Sequence, residues 1–202
     1  MIALLGVSQL YVLAIIGFII GLIFLNFYQN YNKGAQGEAI TRQALQKLSD
    51  SYSLINDVNL SGGYGNIDHI ILGSNGIFVI ETKNYEGNIR CEGDVWYNYN
   101  EAWKGQKEYV IKSPSKQVKR NALKLKQFIE SENILNKSLR LWVDSIVVFS
   151  HDNVNISCKN STTPILKVNQ LCDYIKNKKS NIQFSPQELE KIANLLLRKT
   201  GH

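Results

Sequence analysis

The chain has 202 residues, 44% hydrophobic and 20% charged, with 23 Lys plus Arg against 17 Asp plus Glu and a formal net charge of +6. Residues 1–32 contain no Asp, Glu, Lys or Arg, so every charged side chain lies from Lys33 onward. That division excludes a simple soluble protein and leaves room for one ordinary globular domain; the composition also excludes a disordered chain and a disulfide scaffold.

The run Tyr11–Tyr28 is apolar except for Asn26, and Ile2–Val7 extends it upstream. About 20 apolar residues cross a bilayer as a helix, so residues 1–32 are expected to be a transmembrane anchor. A cleaved signal peptide would have a basic leader, a shorter core and a small-residue cleavage site, which this run lacks. Tyr28 and Tyr31 fit the headgroup level. Basic residues follow the run, at Lys33, Arg42 and Lys47, and none precedes it. The positive-inside rule therefore predicts a single-pass chain with its N-terminus out and its C-terminal domain cytoplasmic. Gly17 and Gly21 form a small-xxx-small pair that could bring two helices together or arise by chance. Cys91, Cys158 and Cys172 lack a C-x-x-C or a pairing His, and are expected to be buried or idle thiols in a reducing compartment, not zinc ligands.

Residues 33–202 are expected to form one α/β domain with a mixed sheet flanked by helices. In chain order the pattern predicts a helix over Ala35–Leu48 and strands over Ser53–Leu60, Asn66–Leu72 and Ile77–Lys83. A second hairpin follows, Gly87–Cys91 with Val95–Tyr99, turning at Gly93-Asp94. Ser113-Pro114 opens a helix with Val118, Ala122, Leu125 and Ile129 on its buried face. Ile146–Phe149 reads as an interior strand, Pro164–Val168 as another, and Asn169–Asn177 as a helix. Ser185-Pro186-Gln187-Glu188 is a capping box opening the last helix.

The segment from Gly65 to Lys83 carries the chemistry. With Asn75-Gly76 as a two-residue loop, Ile70 would face Glu81 and Asp68 would face Lys83. Alternation puts Asp68, Glu81 and Lys83 on one face, with the two carboxylates diagonal. A salt bridge between Asp68 and Lys83 at a solvated strand end would explain the charges. So would a site in which two carboxylates hold Mg²⁺ or Mn²⁺ and a lysine supports an activated water or offsets transition-state charge.

Asp68 followed by Glu81-Thr82-Lys83 resembles the D…E-x-K core of the PD-(D/E)XK nucleases. The whole segment resembles the nuclease-related domain (NERD) family through Gly34-x-x-Gly37-Glu38, Asn56-Asp57-Val58, Gly65-Asn66-Ile67-Asp68-His69-Ile70, Gly76 to Asn84, Gly87, Trp96, Pro114 and Gln117-x-x-x-Asn121. The resemblance runs from about residue 34 to 129, and 130–202 is a C-terminal α/β extension without a specific match. It implies a restriction-endonuclease-like core. Asp68, Glu81 and the Thr82 carbonyl would hold the metal, Lys83 would be the catalytic lysine, and Glu38 and Gln117 would assist. By the residues alone, Glu38 could instead pair with Arg42, and Gln117 could be a solvated helix edge. His69 alternates to the opposite face and is expected to be structural.

Charge is uneven along the domain. Residues 33–103 carry net −4, and residues 104–126 carry net +7. Lys112, Lys116, Lys119, Arg120 and Lys124, with Trp103 and Tyr109 nearby, could contact nucleic-acid phosphates, or form a solvated face or a lipid-directed one. The expected function is a membrane-anchored, Mg²⁺- or Mn²⁺-dependent nuclease hydrolysing phosphodiester bonds, with DNA preferred to RNA as partner. The alternative is a non-catalytic module binding nucleic acid, lipid or protein on the cytoplasmic membrane face.

Overall fold

The computed structural model describes residues 2–60, 66–100, 107–136, 141–180 and 182–200. Gly65, Trp103 and Lys104 lie outside the described residues. Two compact units divide the chain, Met1–Gln36 and Gly37–His202. Helix α1 (Ile2–Leu45) supplies the first unit and, from Gly37, the opening turns of the second. It is long and apolar enough over its N-terminal part to cross a membrane, and its side chains from Tyr11 to Tyr31 are exposed.

The second unit is α/β, as expected, with its strands divided between two mixed sheets. The first sheet orders β1 (Ser53–Val58), β2 (Ile67–Gly73), β3 (Gly76–Lys83), β7 (Val143–Phe149) and β9 (Ile165–Lys167). The second orders β6 (Lys107–Ile111), β5 (Val95–Asn100), β4 (Gly87–Glu92) and β8 (Val154–Lys159). Among the described residues, helices α2 (Pro114–Ser131), α3 (Val168–Asn177) and α4 (Pro186–Leu197) complete the unit. Both expected proline-led helix starts are present, with Ser113 capping α2 and the Ser185–Glu188 capping box opening α4.

Interior strands β2, β3 and β7 are buried on both faces, which is why they read as continuous apolar runs. On one face of the first sheet, Leu45 of α1 and Leu171 and Ile175 of α3 pack on Ile71, Phe78, Ile80, Ile146 and Val148. On the other, the α2 stripe Val118, Ala122, Leu125 and Ile129 joins Ile192 and Leu196 of α4 over Ile70, Val79 and Val147. Trp96 and Ile89 of the second sheet enter this larger core, and Trp96 stacks on Phe149 at 5.9 Å between ring centroids.

Three expectations change. The hairpin loop is Ser74-Asn75, and the register pairs Gly73 with Gly76 and Ile70 with Val79. Tertiary contacts hold the tip: the Asn75 side-chain amide donates to the Ile175 carbonyl at the end of α3, and Phe184 N–H donates to Ser74 O. Strands β6 and β8 were not read from the pattern. The expectation of three separate thiols also fails, because Cys91 and Cys158 face each other on β4 and β8 as a disulfide, leaving Cys172 free.

Candidate active site

Asp68 and Glu81 meet because their strands pair antiparallel. The β2–β3 ladder ends with His69 opposite Ile80, and one more step sets Asp68 directly across from Glu81, replacing the expected Asp68–Lys83 pairing. The shift is by two residues, so the shared face of Asp68, Glu81 and Lys83 survives. The Thr82 N–H leaves the ladder and donates to Asp68 Oδ2 at 2.8 Å. Lys83 Nζ donates to Glu81 Oε1 at 2.6 Å, while Glu81 Oε2 is buried without a hydrogen-bond partner among the described residues. Glu81 is 2% exposed.

Two facing carboxylates in such a place resist ionisation. Burial, then the Glu81 charge, pushes Asp68 up to about 7 against the help of the Thr82 N–H. Burial likewise raises Glu81, opposed by Lys83. Burial works against the Lys83 ammonium, but the charge and hydrogen bond of Glu81 outweigh it, and Lys83 is held above its ordinary range.

The first helix brings Glu38 to the same electrostatic neighbourhood. It is half-buried, and burial followed by the charges of Asp68 and Asp57 lifts it to about 6, while Lys83 and Arg42 pull it down. Gly37 permits this approach: a Cβ there would lie 2.7 Å from both Asn84 Cβ and Ser150 Oγ, at the ends of β3 and β7. Asp57, which has a positive φ of 54°, adds to the cluster: it lies between the Asn56–His69 and Val58–Ile67 pairs of β1 and β2, and its charge acts on both Asp68 and Glu38. Sequence reasoning gave Asp57 no role; aligning β1 against β2 would have exposed it.

Gln117 is half-buried on the first turn of α2, and Asn121 is buried. Lys112 and Lys116 are exposed, and Lys112 is near enough to stabilise the Glu81 carboxylate. Lys119 is committed elsewhere, donating to Asp94 at 2.9 Å and 3.0 Å and to Thr162 at 2.7 Å. Arg120 and Lys124 are half-buried. His69 is buried on the opposite face, bonded through Nδ1 to Asn56 Oδ1 at 2.7 Å, and burial depresses it to about 4.

Among the described residues no three His, Cys, Asp or Glu side chains close into a metal-ligand group. The donor set nevertheless fits a hard divalent cation: two facing carboxylates, one with an orphaned buried oxygen, beside the Thr82 backbone.

The family model of the nuclease-related domain matches residues 33–150, more than half of the chain. Over 61 residues the chain is 44% identical to an uncharacterized protein of Bacillus anthracis, a match covering 28% of this chain and 29% of that protein. No solved structure gives a significant match.

Proposed function

Because the chain belongs to the nuclease-related domain family, we propose that residues 33–202 are a divalent-metal-dependent nuclease acting on DNA or RNA, with DNA preferred, and that residues 1–32 anchor it in a membrane. The observation that carries the proposal is the orphaned Glu81 Oε2 in a buried carboxylate facing Asp68. Like charges opposite each other in a sheet are destabilising, and burial makes the arrangement worse unless a cation joins them.

Asp68, Glu81 and the Thr82 carbonyl would hold Mg²⁺ or Mn²⁺. When bound, such an ion polarises a phosphoryl oxygen and acidifies a water. Lys83 keeps its proton beside Glu81 and places a fixed positive charge where phosphoryl charge develops. Glu38, with a carboxyl lifted to about 6, is suited to taking a proton from water near neutral pH. Gln117 would orient the nucleophile from α2, and exposed Lys112 and Lys116 would meet the phosphate backbone, with Arg120 and Lys124 further along. Lys119 contributes through Asp94 to the packing of α2.

The flanking Lys33, Arg42 and Lys47 support a cytoplasmic domain and an outward N-terminus. The Cys91–Cys158 disulfide is the observation against that orientation, because a reducing cytosol would open it.

Cleavage of labelled DNA and RNA by the full chain with Mg²⁺ tests the proposal. Glu81→Ala and Lys83→Ala should each lower the rate by about 100-fold or more. Equal rates for wild type and Glu81→Ala would sink it. The Lys83–Glu81 bond, which already serves one carboxylate oxygen, favours a second reading as a non-catalytic binding module. That reading predicts binding without cleavage and no metal effect on melting.

A further inference from the structure

The outer face of the second sheet contains a hollow of about 490 Å³ that the nuclease reading does not use. Its walls come from all four strands and include Ile89 and Ile156 beside the polar residues. Register aligns Glu108, Tyr99, Asn88 and Asn155 across β6, β5, β4 and β8, with Arg90 and Ser157 in the next row. The intervening Cys91 and Trp96 are buried in the core.

The ionic groups of the hollow cancel. Arg90 Nε and Nη2 donate to the two Glu108 oxygens at 2.6 Å and 3.0 Å, and the guanidinium lies 4.3 Å from the centre of the Tyr97 ring. A phosphate or metal ion would therefore find no net charge to hold it. The remaining chemistry is a tyrosine ring, two isoleucines, a hydroxyl and two amides, with Asn155 Nδ2 donating to Asn88 Oδ1 at 3.2 Å. Amides present a donor and an acceptor side by side, as nucleobase edges do. The ring and the isoleucines suit a flat apolar face, and the amides add a preference for one with hydrogen-bonding edges. A planar, neutral heterocycle satisfies both the ring and the amides. β4 opens at Gly87, just after Lys83 ends β3, so the hollow is covalently close to the candidate site.

We propose that this hollow binds an unpaired base of a single-stranded nucleic acid, stacked on Tyr99 and hydrogen-bonded by Asn88 and Asn155. The proposal rests on the nuclease reading and names the strand form of its substrate.

Binding of the full chain in detergent to fluorescein-labelled oligothymidylate and oligouridylate, in EDTA to suppress cleavage, tests it. Tyr99→Ala should weaken single-strand binding about tenfold or more, and Tyr99→Phe should retain it. Asn155 is exposed, so Asn155→Ala keeps the fold and should also weaken binding several-fold. A loss in either oligonucleotide supports the site, and a difference between them identifies the preferred sugar. A duplex control should be insensitive to Tyr99→Ala. Unchanged single-strand affinity in both alanine variants, or an equal loss on duplex, overturns the proposal. Tyr99-dependent binding without any cleavage would remove the nuclease reading and leave the pocket. Glu81-dependent cleavage with unchanged affinity in Tyr99→Ala and Asn155→Ala would do the reverse.

Discussion

Asp68 is predicted to cost the metal-free protein stability. Its carboxyl is raised to about 7 in the folded chain from 3.8, so the folded state binds more protons between those values. The associated stability is fully present below 3.8 and is lost as pH rises through 7. Glu81 shifts in the same direction. His69 acts oppositely: lowered to about 4 from 6.5, it removes stability as pH falls through that window. Asp68→Asn should therefore raise the melting temperature of the metal-free protein above neutral pH by several degrees and flatten its alkaline decline. Mg²⁺ should raise the wild-type melting temperature and leave Asp68→Asn unmoved; a fall on adding Mg²⁺ to wild type would contradict the metal assignment. Strand alternation already placed Asp68, Glu81 and Lys83 together. It could not show that Lys83 is engaged by Glu81, or that Asp57 and Glu38 add charge to the same neighbourhood, because those facts depend on β1 and α1 meeting the sheet.

One side chain ties α2 to the second sheet. Ser115 Oγ accepts from Trp96 Nε1 at 2.9 Å and donates to Asp94 Oδ1 at 2.6 Å, joining the helix to the β4–β5 turn. Ser115→Ala leaves the buried indole N–H unpaired and should cost about 1–3 kcal/mol, read from the urea midpoint. Ser113→Ala, which removes the helix cap, should cost about 1 kcal/mol. The helix itself was legible from its cap, its proline and its apolar spacing. The hairpin register was off by two because the hold of α3 on Asn75 is a contact across about a hundred positions, which no local rule contains. Strand β8 carries a signal of its own, since Val154, Ile156 and Cys158 alternate with Asn155, Ser157 and Lys159, but over only six residues.

For the whole molecule, the uncharged first 32 residues and the charged remainder predict separable behaviour. Full-length protein should stay with membranes after a high-pH wash, whereas a chain starting at Lys33 should be released to the soluble fraction. Retention of the shortened chain would mean that its own surface binds the membrane.

The facing sulfurs of β4 and β8 also make the domain a gauge of its own compartment. The bond spans a sequence separation of 67 and encloses α2 and β7. Closing a loop of that length restricts the unfolded chain by about 4 kcal/mol where oxidants let it form. In a reducing cytosol, a maleimide added on denaturation should label three cysteines; in an oxidising space it should label Cys172 alone. A count of adducts by mass would thus report the redox state around the domain, and with it whether the fold keeps that reinforcement or relies on the β4–β8 ladder.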